Sequence, residues 1–219
     1  YLKGERLEWD ILNEDEPPIP ELGWSGGKNT SIVVDIHDWE TYRKAMDFVL
    51  AGNHHFESVI LDSITEIQTQ LKERINPQKG LGDEFEKNNY GVWDQLLVHM
   101  ERDVRALRDL VRPGSKKQCH SCIVGLTDTE AVPRKILVQG ALRKRLPQFP
   151  DLIIYLETIH DQNGAKRRSA TIENSERVEA KCRIPQLNDK YLDGVIYDPN
   201  FRRILKVINE QEQENNNNG

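Results

Sequence analysis

The sequence predicts an α/β protein built on a mainly parallel, doubly wound sheet with helices on both faces. Short apolar, β-branched runs recur at residues 31–36, 58–61, 121–126 and 152–157. Segments with apolar residues at helical spacing lie between them, at 39–50, 64–75 and 92–111. The run at 58–61 also ends abruptly on Asp62-Ser63, with a helical pattern directly behind. Strands alternating with helices require crossover connections, and these favour parallel pairing.

Residues 1–30 read as an irregular N-terminal segment. Asn13-Glu14-Asp15-Glu16-Pro17-Pro18-Ile19-Pro20 is acidic and proline-rich, and Gly23, Gly26 and Gly27 follow it. Proline fixes φ and removes a donor, so an extended surface loop is expected. Ser31-Ile32-Val33-Val34-Asp35-Ile36 is β-branched and predicts the first strand. Asp38 is placed to cap a helix over 39–50, in which Tyr42, Ala45, Met46 and Val49 share one side. Ser58-Val59-Ile60-Leu61 predicts a strand buried on both faces, and a helix over 64–75 follows. Residues 76–89 are rich in Gly, Lys and Glu and predict a loop.

A long helix is expected over 92–111, with Trp93, Leu96, Leu97, Met100, Val104, Leu107 and Leu110 as its core stripe and Pro113-Gly114 as its end. Ser121–Leu126 and Leu152–Glu157 predict two further strands. Weaker strands are expected at 168–173 and 177–182, on either side of a turn at Asn174-Ser175, with a hairpin at Gly164. The Glu/Gln/Asn-rich tail, 209–219, is expected to be disordered. The ordered core is therefore placed at 31–208.

Composition narrows the class. Thirty Lys and Arg stand against 36 Asp and Glu, a net charge of -6, so basic charge is confined to patches. Hydrophobic residues make up 37% of the 219, enough for one core. Three cysteines cannot form a disulfide scaffold, and an odd count points to a reducing compartment. No apolar run approaches the roughly 20 residues of a membrane span. No signal peptide is visible, and a cytoplasmic location is expected.

Chemistry concentrates at Val59-Ile60-Leu61-Asp62-Ser63. In open α/β sheets, ligands bind beyond the carboxyl ends of the strands, where a terminal aspartate delivers a carboxylate. One reading is a Walker B strand, with Asp62 holding Mg²⁺ through water and Ser63 alongside; the other is an aspartate capping the next helix. The stretch Gly23-Trp24-Ser25-Gly26-Gly27-Lys28-Asn29-Thr30 departs from G-x-x-x-x-G-K-[ST] in its glycine spacing and at Asn29. It also precedes a strand, where a P-loop follows one, so it reads as a glycine-rich turn. Cys119-His120-Ser121-Cys122 is half of a zinc site without a second half, and His54-His55 carries no role.

Beyond this strand, a wider pattern runs from Val34-Asp35-Ile36-His37-Asp38-Trp39-Glu40 through Ser58–Glu66 to Tyr90-Gly91-Val92-Trp93. It continues with Gln139-Gly140-Ala141-Leu142-Arg143-Lys144-Arg145-Leu146-Pro147, Phe149-Pro150-Asp151-Leu152-Ile153 and Ala180-Lys181-Cys182-Arg183. In order and spacing it resembles the phage-type RecA-like P-loop ATPases, an AAA/RecA-like group whose members include single-strand annealing recombinases. The resemblance covers about residues 31–190. It implies a RecA-like core, ATP and Mg²⁺ as cofactors, single-stranded DNA as partner and a homo-oligomeric ring or filament. It also implies work in recombination, repair or replication within a host cell's cytoplasm.

Residue by residue, Asp62 matches the Walker B aspartate. Thr127 stands where the family places a γ-phosphate sensor, although a Thr-Asp turn is equally consistent with it. Lys181 and Arg183 match a pair that related motors project into a neighbour's ATP site; an exposed basic pair on a strand is the alternative. Glu66 either orients water or stabilises its helix N-terminus. Arg134, Lys135, Arg143, Lys144 and Arg145 fall where RecA-like folds face DNA, with a solvated basic face as the alternative; Arg167-Arg168 is a second candidate. The family carries its P-loop and first strand upstream of the position matched by Tyr1. The chain is therefore expected to be truncated before Tyr1, and residues 1–219 alone are expected not to bind ATP appreciably. The rival reading is a non-catalytic DNA- or protein-binding scaffold that retains the fold.

Overall fold

The computed structural model describes residues 6–14, 31–75, 90–161 and 163–208. The Gly23–Thr30 turn, most of the acidic proline-rich stretch, the loop expected over 76–89 and the polar tail lie outside the described residues. The chain divides into two compact units, one of residues 1–126 with 138–142, the other of residues 127–137 with 143–219.

In the first unit, β1 (Arg6–Glu8) pairs in parallel with β2 (Ser31–Val33). Helix α1 (Trp39–Ala51) starts where expected, because the Asp38 carboxylate accepts the Thr41 amide at 2.8 Å. It stops at Gly52, whose φ of +74° suits glycine and where a Cβ would lie 2.6 Å from the Lys116 Cβ. Then come β3 (Ser58–Asp62), α2 (Ile64–Ile75), α3 (Tyr90–Asp109) and β4 (His120–Val124). β3 pairs in parallel with β4, from Ser58 opposite His120 to Asp62 opposite Val124. The core takes Tyr42 and Met46 from α1, Ile64, Ile67 and Leu71 from α2, and Leu96, Met100, Val104 and Leu107 from α3. Those positions recur every three or four residues, as an apolar helix face requires.

β3 departs from expectation on one side. Leu61 is buried, but Ile60, on the opposite face of the strand, is 66% exposed. Among the described residues β3 has β4 as its one ladder partner, so an apolar run of four does not by itself secure two covered faces.

A second feature of this unit titrates. His54 is 7% exposed; its Nε2 faces the Val49 carbonyl at 3.1 Å, and its ring lies 5.6 Å from Phe48 and 5.3 Å from Phe56. Burial holds its pKa below the ordinary 6.5. The unfolded chain therefore binds this proton more readily, and stability contributed above pH 6.5 is lost as pH falls below it. Urea unfolding from about pH 7.5 to about pH 5.5 should show wild type losing more stability than His54→Phe. Equal slopes would remove His54 from the pH response.

In the second unit, β5 (Thr127–Asp128) pairs antiparallel with β6 (Lys135–Ile136). The one-turn helix α4 (Leu142–Arg145) leads into a 3₁₀ turn at Leu146–Gln148. β7 (Leu152–Ile153) pairs antiparallel with β10 (Lys181–Cys182). β8 (Tyr155–His160), β9 (Lys166–Thr171) and β11 (Val195–Tyr197) form an antiparallel sheet in the order β11-β9-β8. Helix α5 (Pro185–Lys190) and a helix α6 at 201–208 complete the unit. Ala170, Ile172, Leu187, Ile196, Ile204 and Val207 form its core.

Two expectations are redrawn here. The strand expected over 152–157 is broken at Ile154, because β7 pairs with β10 while β8 pairs with β9. Of 177–182, only an isolated Arg134–Val178 bridge and the two residues of β10 are in ladders. The Gly164 hairpin is present, with φ of +77° at that glycine. A connection this short can only reverse the chain, which is why β8 and β9 are antiparallel. The fold is thus α/β, with small parallel ladders in the first unit. Among the described residues, no helix is long and apolar enough to cross a membrane.

Candidate nucleotide site at the end of β3

Asp62 is the last residue of β3, at the carboxyl end of a parallel pair. Ser63 follows across a cis peptide bond. Its hydroxyl accepts the Glu66 amide at 3.3 Å, and its carbonyl accepts the Ile67 amide at 3.2 Å. Ser63 therefore caps α2, and Asp62 does not. The Asp62 carboxylate is exposed and makes no hydrogen bond or ion pair among the described residues. Its charge is felt nearby: burial first, and Asp62 second, push the Cys122 thiol above its ordinary range. Cys122 is the register partner of Ile60, on the face that carries Asp62.

Helix α2 is held by polar contacts that sequence reasoning missed. The Thr65 hydroxyl accepts the Leu126 amide at 3.2 Å, just beyond the end of β4. Gln68 takes the Gln139 amide at 2.6 Å and donates to the Gln139 carbonyl at 3.2 Å. Lys72 Nζ donates to the Gln139 side chain at 3.1 Å and lies 5.1 Å from the Trp93 ring centre. A signal was present: Gln68 and Lys72 continue the Ile64, Ile67, Leu71 stripe, and a polar side chain at a core position needs a partner.

The remaining candidates are placed as follows. Glu66 is exposed in the first turn of α2. Thr127 is half-buried in β5, opposite Ile136. Lys181 Nζ donates to the Pro147 carbonyl at 2.5 Å, and burial, with the Arg183 charge, lowers its pKa. The Arg183 amide bonds the Asp151 carbonyl at 2.9 Å, and its guanidinium lies 3.9 Å from the Asp151 carboxylate. Arg134 donates to the Tyr155 hydroxyl and Arg143 pairs with Asp128, both at 2.8 Å. Arg145 is exposed and has interactions of its own, whereas Lys135 and the exposed Lys144 make no ion pair among the described residues. Arg167 pairs with Asp198 at 2.6 Å, and Arg168 is exposed.

Among the described residues, no three His, Cys, Asp or Glu side chains gather to hold a metal ion. One uncommitted carboxylate beside a hydroxyl suits a different mode. Mg²⁺ keeps several waters and takes one or two protein oxygens, and Asp62 with Ser63 fits that demand.

Residues 25–184, well over half of the chain, match the AAA domain family. The chain belongs to that family. As an AAA domain of the P-loop NTPase class, it has a nucleotide-binding, ATPase-like function, and such domains generally bind ATP with Mg²⁺. Comparisons of this AAA domain with curated proteins and with solved structures gave no match.

Proposed function

We propose that this AAA domain is the RecA-like, doubly wound core of a phage-type recombination or repair ATPase. It acts on single-stranded DNA as a ring or filament, with ATP held between subunits. The observation that carries this reading is the Asp62 carboxylate, left free at the strand end because Ser63 has taken over the helix cap. Asp62 and Ser63 would hold hydrated Mg²⁺, which supplies charge neutralisation on phosphate oxygens. Glu66 orients a water from the exposed first turn of α2. By the family resemblance, Thr127 is the γ-phosphate sensor candidate, and Lys181 and Arg183 serve a neighbour's site. Lys181 exchanges its bond to the Pro147 carbonyl for that role. The nucleotide half of this reading is tested by Asp62→Asn, developed in the Discussion.

For DNA, the contacts narrow five basic residues to two. Arg134 and Arg143 are engaged within their own unit, while Lys135 and Lys144 make no ion pair among the described residues. Phosphate contacts by lysine give affinity without sequence preference and a dependence on salt. Lys135→Ala with Lys144→Ala should weaken poly-dT binding in fluorescence anisotropy and make its logarithmic salt slope shallower by about 0.7 per lost contact. Lys181→Ala with Arg183→Ala should leave DNA affinity unchanged and lower ATP turnover in the assembled form. If the lysine pair changes neither affinity nor slope, these residues form a solvated face. DNA binding without any ATP turnover would favour the scaffold reading.

A further inference from the structure

We propose that the open face of the β8–β9–β11 sheet carries a binding site for a basic peptide, which places an arginine or lysine side chain against Glu173 and Asp193. This inference is independent of the nucleotide reading, because every residue it uses lies in the second unit. A cleft of about 350 Å³ opens on this face. Ser169, Thr171, Val195 and Tyr197 lie on its floor, where Thr171 opposes Val195 and Ser169 opposes Tyr197. The segment 173–178 contributes Glu173, Asn174, Ser175, Arg177 and Val178 to its lining.

The polar groups here are unspent. Ser169 is 3% exposed, lines the cleft, and its hydroxyl has no hydrogen-bond partner among the described residues. The hydroxyl oxygen opens onto the cleft rather than into the core, where a ligand or water can bond it. The Thr171 hydroxyl and the Glu173 carboxylate also have no partner among the described residues. Asp193 uses one carboxylate oxygen on the Val195 amide at 3.2 Å and keeps the other. Gly194 fixes this corner: its φ is +66°, and a Cβ there would stand 2.6 Å from the Glu173 Cβ.

The sign of the ligand follows from the charges. Three carboxylates line the cleft against one guanidinium, and Arg177 is already paired with Glu157. Glu173 and Asp193 remain to attract a cation and repel an anion. Val195 and Ile159, both half-buried, offer apolar surface to the methylene stem that arginine and lysine carry below their charge. An open cleft admits one such side chain while the rest of the peptide stays outside.

The test uses the full chain and fluorescein-labelled hexa-arginine in an anisotropy titration. Glu173→Gln should weaken binding about fivefold, as loss of a charge-assisted hydrogen bond implies, and Ser169→Ala should weaken it about threefold. Glu176→Gln removes the same charge from an exposed neighbour that does not line the cleft, and it should change affinity less than about twofold. In the unmodified chain, the amide NMR signals of Ser169, Thr171 and Val195 should shift on adding the peptide. Equal losses for Glu173→Gln and Glu176→Gln would reduce the effect to general attraction by an acidic protein and overturn the site. Absence of those amide shifts would overturn it without any variant.

Discussion

Asp62→Asn lowers Mg²⁺-dependent ATP turnover by at least about a hundredfold, roughly 2.7 kcal/mol of barrier, in any form of the protein that hydrolyses ATP. The amide keeps the shape of the side chain but removes the charge that attracts the hydrated ion. Stability should change by less than about 0.5 kcal/mol, because the carboxylate is exposed and makes no hydrogen bond or ion pair among the described residues. Turnover and thermal unfolding therefore have to be measured on the same preparation. Turnover within about twofold of wild type would take Asp62 out of the mechanism. A large loss of stability would instead show that the carboxylate has a structural role. Ser63→Ala differs from it in stability, since the α2 cap is lost and about 1 kcal/mol with it.

Asp103→Ala has the largest expected effect on stability. Asp103 is 2% exposed on α3, and Arg43 Nη1 of α1 reaches both of its carboxylate oxygens, at 2.8 and 2.9 Å. Tyr42 lies in the same buried environment, and burial together with the Asp103 charge pushes its phenol well above the ordinary value. Removing the carboxylate leaves a guanidinium that is mostly out of water with only the exposed Asp47 as counter-charge. Breaking such a pair costs about 3 kcal/mol or more, which lowers the unfolding midpoint by roughly 10 °C. Asp47→Ala removes the exposed second partner of Arg43, 3.1 Å away, and should cost less than about 0.5 kcal/mol. Replacing the buried pair together, as Arg43→Met with Asp103→Leu, should recover most of the loss. A midpoint for Asp103→Ala within about 2 °C of wild type would show that α1 and α3 do not depend on this pair.

What the sequence determined by itself was local. Helices over 39–50 and 64–75 were legible because their caps and apolar spacing are encoded within a few residues, and α1 and α2 match them nearly residue for residue. The Gly164 hairpin was legible for the same reason, since a short turn leaves the chain little choice. Asp62 was legible as a carboxylate at a strand end. Whether it capped the next helix was not, because one serine hydroxyl to the Glu66 amide takes that role. Tertiary structure alone decided which strands pair. It split 152–157 between two partners, gave β9 to β8 and β11, and left one face of β3 open at Ile60. It also joined Gln68 to Gln139 and Arg43 to Asp103 across long stretches of chain. Such partners are chosen by a packed interior that needs each buried polar group satisfied, and no window of neighbouring residues contains that information.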